Sequence, residues 1–433
     1  MKKLSIFQLT LLLVFGGLAI AGILVFALAV GSGQSNTIGA IRIWGTLDQG
    51  AFAAVIRQAA EGSGELSQVT YEQKSAATYD ADLTNALASG AGPDLFLMRQ
   101  DHALKDAGKV ALVPFSALSR SQFEGTFVEA ASPFLGQDGV IAVPLLADPL
   151  VLYWNKDMLA SAGFAQPPKY WDEIFDMAQK ISTHDDSGSL TKSAIAFGEY
   201  QNVTNAKDIL ATLIMQAGGD ITAYDNTGRL SPALVPRAGA ASTQSTASAL
   251  RFYTEFADPS KNDYSWNRSL PESQKAFTSG DVALYIGYAS EAPLLARMNP
   301  NINVAIAPIP QIRAAPNTLN TAHVWGLAAT RTGKNPNGAI TAAFLLVSAD
   351  TGKALSTALG IPSARRDILN GSASGNDELF NKQAILAHSW LDPDPAATAE
   401  VFRAMIENTT SGSLLVAEAV QRADQELAHI LGI

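Results

Sequence analysis

Between residues 41 and 98 the chain alternates short apolar runs with helix-period segments, and this most narrows what it can fold into. Ile41-Arg42-Ile43-Trp44 alternates and stops at Gly45, the signature of a strand. Asp48 opens a helical run over 51–60 that ends at Gly62 and Gly64. A second strand follows at 68–71. Residues 79–88 then form a helix, with Leu83 and Leu87 four apart on one face. Residues 94–98 are a short apolar run of the kind buried in a parallel sheet. A β-α-β-α-β order implies a parallel sheet with helices on its faces.

Farther along, 140–146 and 150–154 read as two apolar strands separated only by Asp148-Pro149, so the chain is expected to leave one sheet there and enter another. Further strands are expected at 194–197, 282–286, 304–306 and 323–328. Helices are expected at 156–162, 170–181, 206–217, 247–256 and 272–278, and through most of the chain after 339. The chain has 433 residues and 47% hydrophobic content, enough for two cores.

The N-terminus addresses the molecule. Lys2 and Lys3 are the last charges before Arg42, and 11–30 is an unbroken run of apolar residues and glycine. A helix of that length is ~30 Å long and spans a bilayer. The lysines put the N-terminus inside and the body outside. The expected arrangement is a cytoplasmic segment 1–10, a single-pass cell-membrane anchor 11–30 and a flexible linker 31–39. A signal peptide cut near Ala29 is the alternative, because 27–29 has the small-x-small pattern but the apolar run exceeds a signal core. The chain has no cysteine, which excludes disulfides, thiolate chemistry, Cys-held metals and a lipid-modified N-terminal Cys. A net charge of −10 argues against nucleic acid as a partner. The five histidines are scattered, and HExxH, GxSxG and GxxxxGK[ST] are absent. No metal or cofactor is called for.

Four segments carry a family resemblance: Ala86-Leu87-Ala88-Ser89-Gly90-Ala91-Gly92-Pro93-Asp94-Leu95-Phe96; the stretch from Ala142-Val143-Pro144 through Asp148 to Trp154-Asn155-Lys156-Asp157, resumed at Pro167-Pro168-Lys169-Tyr170-Trp171-Asp172-Glu173; Phe277-Thr278-Ser279-Gly280-Asp281-Val282-Ala283-Leu284; and Ala307-Pro308-Ile309-Pro310-Gln311. In this order, across nearly all of 41–431, the chain resembles the extracellular solute-binding proteins of carbohydrate ABC importers, the family that includes maltose-binding protein. The missing lipidated Cys is the departure.

The resemblance implies a two-lobed, periplasmic-binding-protein-like α/β fold behind one N-terminal transmembrane helix. Lobe one is expected at 40–147 and 322–366, and lobe two at 148–321 and 367–433. It further implies a monomer that holds a sugar or oligosaccharide between its lobes, is not an enzyme, and delivers the ligand to ABC permease subunits. An exported glycan-degrading enzyme using paired carboxylates such as Asp101 and Asp148 is one alternative. A binder of polyamine or glycerol phosphate is another.

Sugars want carboxylates, amides and Arg for their hydroxyls, and flat aromatic faces for their C–H surfaces. On that basis the candidates are Trp44, Tyr79, Met98, Asp101, Asp148, Tyr200, Tyr288, Glu291, Trp325 and Arg365. Six of them have a structural reading beside the functional one. Trp44 and Trp325 are core aromatics, Asp101 caps the helix after it, Asp148 is a hinge carboxylate bonded to backbone, Glu291 is surface, and Arg365 pairs with Asp367. Asp48 and Asp80 are read as helix caps.

Overall fold

The computed structural model describes residues 38–235, 245–313 and 315–433. The expected anchor at 11–30 and nearly all of the linker lie outside the described residues. Among those described, no helix is long and apolar enough to cross a membrane.

The first third builds as the alternation requires. Strands β1 (Ile41–Gly45), β2 (Val69–Gln73) and β3 (Leu95–Arg99) run parallel, with helix α1 (Gln49–Ser63) between the first two and α2 (Tyr79–Ala88) between the second and third. Asp48 caps α1, its carboxylate accepting from the Ala51 N–H at 2.7 Å. Gly64 closes that helix at φ 73°, a left-handed conformation costly for any side chain with a Cβ.

The two strands expected at 140–154 are instead one, β4 (Val143–Asn155), which runs without a break through Asp148-Pro149. The crossover is made by a change of partner along a single strand. Residues up to Pro149 pair with β8 (Asn320–Ala329), and those from Leu150 pair with β6 (Val282–Tyr288). Proline has no N–H for a ladder, and here it falls where one partner hands over to the next. The remaining strands used below are β5 (Leu190–Ile195) and β7 (Val304–Ala307). The sheet order is β2-β1-β3-β8-β4-β6-β5, then Thr183–His184, with β7 also on β4.

Side chains divide the same way. Val143, Leu145, Leu146 and Ala147 join a core with Phe52, Phe96, Phe134 and Leu327. Leu150, Val151, Leu152 and Tyr153 join a second core with Phe197, Phe256, Phe277 and Phe402. The molecule thus has two α/β bodies and one continuous sheet path between them. Leu369, Ala384 and Ala387 belong to the first core, while Phe380 belongs to the second. The second body carries α3 (Ala206–Gln216) and, near the C-terminus, α4 (Pro395–Thr410) and α5 (Val416–Ile430).

Strand β8 carries an irregularity between Trp325 and Gly326, where its register against β4 shifts. A Cβ on Gly326 would lie 2.8 Å from Ala142 Cβ and 2.9 Å from Phe134 Cε2. Neither neighbour is the loose end of a flexible chain. Gly326→Ala is therefore expected to cost about 1–3 kcal/mol through overpacking. Chemical denaturation would read this, and an unchanged midpoint would show that the crossing strand relaxes freely.

Candidate functional site in the cleft

The carboxyl ends of β1, β3 and the α2 start meet the middle of β8, and there a cavity of about 170 Å³ opens in the first body. Tyr79, Met98, Arg99, His102 and Trp325 line it. Across the gap a second cavity of about 280 Å³ is bounded by Arg99 and Asp101 on one side, and by Tyr200, Asn205, Lys207, Asp208 and Pro395 on the other. Arg99 lines both, so the two are neighbouring parts of one cleft between the bodies. An ion pair crosses it: Lys105 Nζ lies 3.5 Å from Asp394, which caps α4.

Arg99 and Asp101 form a forked pair. Arg99 Nε donates to Asp101 Oδ1 at 3.0 Å, and Nη2 donates to Oδ2. Burial pushes the Asp101 carboxyl up, but the Arg99 charge and its hydrogen bonds outweigh that and hold it well below the usual carboxylate range. Asp101 is thus no helix cap. Gln100, between them, turns inward and accepts from the Val324 N–H at 2.7 Å, which ties the end of β3 to β8.

Behind Trp325 and Asp208 lies an aromatic stack. Tyr288 and His323 lie face to face, with ring centroids 4.0 Å apart, and the Tyr288 hydroxyl is 2.9 Å from His323 Nε2. Trp325 presents its edge to His323 at 6.1 Å. Burial, helped by Arg99, holds the His323 pKa down to about 4, so its ring is neutral at neutral pH. His102 behaves oppositely. Burial acts to lower its pKa, but Asp106, Asp101 and Asp80 around it raise the pKa overall.

The second wall starts at Asn205, which takes φ 62° at the start of α3. Lys207 is held by Asp392 at 2.7 Å and by the Thr398 hydroxyl at 2.7 Å, so its ammonium is fixed from behind. Tyr200 stands beside Asp208, and burial with that charge pushes its phenol up to about 12.

The expected site residues thus divide. Tyr79, Met98, Asp101, Tyr200 and Trp325 line the cleft, whereas Tyr288 is buried against His323 and lines neither cavity. The Tyr79 hydroxyl is already spent on the Trp44 and Leu97 carbonyls, each at 3.0 Å. Trp44 itself is buried, with the Lys74 ammonium 3.8 Å over its ring, and lines neither cavity. Asp148 is 1% exposed and accepts from the Ser290 N–H at 3.0 Å, so it sits as a backbone-bonded hinge carboxylate with no surface toward a ligand. Glu291 takes hydrogen bonds from the Tyr288 N–H, Gln274, Asn205 and the Tyr285 hydroxyl, which consumes its acceptor capacity in holding the β6 turn. Arg365 forks onto Asp367 and donates to the Val347 carbonyl, away from the cleft. Asp80 is no cap either. It lines the first cavity, near Lys105 and His102.

Arg99, His102, Lys207 and Asp208 also line the cleft and were not among the sequence candidates. The only sequence sign of Arg99 is its place at the end of a strand. The others are unremarkable polar residues until the sheets cross. Asp101 is forked onto Arg99, and Asp148 accepts from the Ser290 N–H. Among the described residues no group of three or more His, Cys, Asp or Glu could hold a metal ion.

Two α/β bodies, a crossing pair of strands and a polar cleft with Tyr200 and Trp325 in its lining define a binding protein of the two-lobed type. The chain belongs to the bacterial extracellular solute-binding proteins, whose family profile it matches over residues 48–351. It is 24% identical over 235 residues to a binding protein of Brucella abortus (strain 2308), covering 53% of this chain and 52% of that one. The chain therefore spans about half the length of the curated relatives it matches first. Its fold is shared with the cyclic alpha-maltosyl-1,6-maltose binding protein from Arthrobacter globiformis, with a TM-score of 0.74 at 16% identity over 91% of this chain and 99% of that one. It is also shared with an ABC transporter solute-binding protein from Thermotoga lettingae TMO bound with alpha-D-tagatose, with a TM-score of 0.67 at 21% identity over 91% of this chain and 100% of that one.

Proposed function

We propose that this protein is the extracytoplasmic substrate-binding subunit of an ABC importer for a sugar or oligosaccharide. It works as a monomer, held at the membrane by residues 11–30 or released by cleavage near Ala29. Its lobes, 40–147 with 322–366 and 148–321 with 367–433, close on the ligand by bending where β4 and β8 cross. The closed form is then presented to the permease, and no bond of the ligand is broken. The observation that carries the reading is the cleft: fixed polar groups at strand ends, Arg99 and Asp101 facing Asn205 and Asp208, with the Trp325 and Tyr200 rings beside them. That combination suits hydroxyls and ring faces together. The ligand contacts we assign are Arg99, Asp101, Tyr200, Asp208 and Trp325, with Tyr79 and Met98 shaping the pocket.

A thermal-shift screen against sugars, amino acids, polyamines and phosphorylated polyols tests this. A ligand bound only by the folded state raises the melting temperature by mass action, and at 100 times its Kd it contributes about 2.7 kcal/mol. We expect one saccharide class to give the large shift. A shift for a non-saccharide alone would move the assignment to that class. Sugar release from a glycan by the purified protein would replace binding with catalysis.

A further inference from the structure

The charges on the cleft walls do not balance, and the imbalance bears on which saccharide fits. Each lysine or arginine there already has a carboxylate of its own. Arg99 is forked onto Asp101, Lys207 holds Asp392, and Lys105 lies 3.5 Å from both Asp80 and Asp394. Lys105 thus serves two carboxylates, and Asp80 also faces His102 Nδ1 at 3.5 Å.

Asp208 adds a negative charge with no cation of its own. Its one ion-pair contact among the described residues is His323 Nε2 at 3.7 Å, an imidazole that is neutral at neutral pH; the Tyr288 hydroxyl and the Arg99 charge also act on Asp208, but Arg99 is already forked onto Asp101. The Asp208 side chain is 31% exposed and faces the larger cavity. Tyr200 lines the same cavity, so the spare carboxylate stands beside an aromatic ring. A carboxylate next to an aromatic face is the complement of an ammonium group: the first pairs with its charge, and the second attracts it through the ring quadrupole. Closing the lobes would exclude water and strengthen both. A carboxylate or phosphate on the ligand would meet the opposite field, in a protein whose net charge is already −10.

We propose that the cleft selects a saccharide bearing a free amine, seated with its ammonium between Asp208 and Tyr200, over neutral and acidic saccharides. This rests on the reading of the cleft as a saccharide site and narrows its substrate class.

The test is calorimetry of the whole protein at pH 7 with four disaccharides of one linkage: the glucosamine disaccharide, its N-acetylated form, the neutral glucose disaccharide and its uronic acid. It is run in both the α-1,4 and β-1,4 series. In the series that binds, the amine form is expected to bind about tenfold more tightly than the neutral one, and the acid more weakly than either. The tenfold preference should shrink on raising the salt from 50 mM to 0.5 M. Asp208→Asn keeps the shape and removes the charge. It is expected to reduce the ratio of amine-form to neutral-form affinity to about twofold, with the melting temperature little changed. A neutral saccharide bound as tightly as the amine form would overturn this inference and leave the saccharide reading standing. So would a preference that survives in Asp208→Asn. Failure of every saccharide, charged or not, would overturn both.

Discussion

Asp148→Asn is expected to make the protein more stable than the wild type above pH 7, with an advantage that vanishes toward pH 4. Burial pushes the Asp148 carboxyl up to about 7, against the opposing hydrogen bonds of Ser290. Its pKa is thus raised on folding, and the folded state binds the proton more tightly than the unfolded chain. Stability from this group is full below about pH 4, falls as pH rises through the window to about 7, and levels off above it. A shift of that size corresponds to an effect on the order of 4 kcal/mol at most. Asparagine stays neutral throughout and can still accept from the Ser290 N–H, so the variant lacks the fall.

Denaturation at several pH values from 4.5 to 8 reads the difference between the two proteins. The difference is the right quantity because other groups move the absolute curve the opposite way. His323 has its pKa depressed to about 4, so its contribution is lost as pH falls from about 6.5 toward 4. A constant difference across the range would mean that Asp148 is ionised in the fold and that a partner for its charge has been overlooked. Ligand affinity is not expected to depend on the Asp148 carboxylate by direct contact, since the side chain has no face toward the cleft.

Arg99→Ala should damage the protein more than removing both members of its pair. The Asp101 side chain is 13% exposed, and its two oxygens are both on Arg99. Alanine at 99 leaves a mostly buried carboxylate uncompensated, a change that costs 3–5 kcal/mol where burial is complete. The Arg99 side chain is itself 35% exposed, so water screens part of that, and about 2 kcal/mol is expected. The double variant Arg99→Met with Asp101→Asn removes the stranded charge and should recover at least half of the loss. Both variants should abolish high-affinity saccharide binding, because both delete the polar wall of the first lobe. Urea denaturation of Arg99→Met, Asp101→Asn and their double variant gives the coupling directly. Additive losses would show that the two side chains act independently and that the fork does not organise the cleft.

The lobes and the cleft differ in how far they can be read from sequence. Alternation of period and the stop signals around 41–98 are local, so β1, α1, β2, α2 and β3 are legible within a few residues of their ends. The crossover at Asp148-Pro149 is legible as an event but not in its form, because whether two apolar runs make one strand or two depends on which neighbours take up their hydrogen bonds. Asp148 attracts notice as a carboxylate amid apolar residues, and only the Ser290 N–H beside it decides that it braces the hinge rather than meets a ligand. Glu291 and Arg365 go the same way, claimed by partners that sequence spacing cannot rank.

Local chemistry alone therefore determined the alternating elements, the absence of thiol chemistry and the membership of a binding-protein family. These depend on periodicity, composition and short motifs, which act over a few residues. Tertiary structure alone decided that Arg99, Asp101, Tyr200, Asp208 and Trp325 share a cleft and that Tyr288 and His323 stack on each other. Those residues come from strand ends and helix starts up to more than two hundred positions apart, and they meet because β4 and β8 cross between two cores. Charge balance in that cleft is a sum over pairs that form only when the chain is folded.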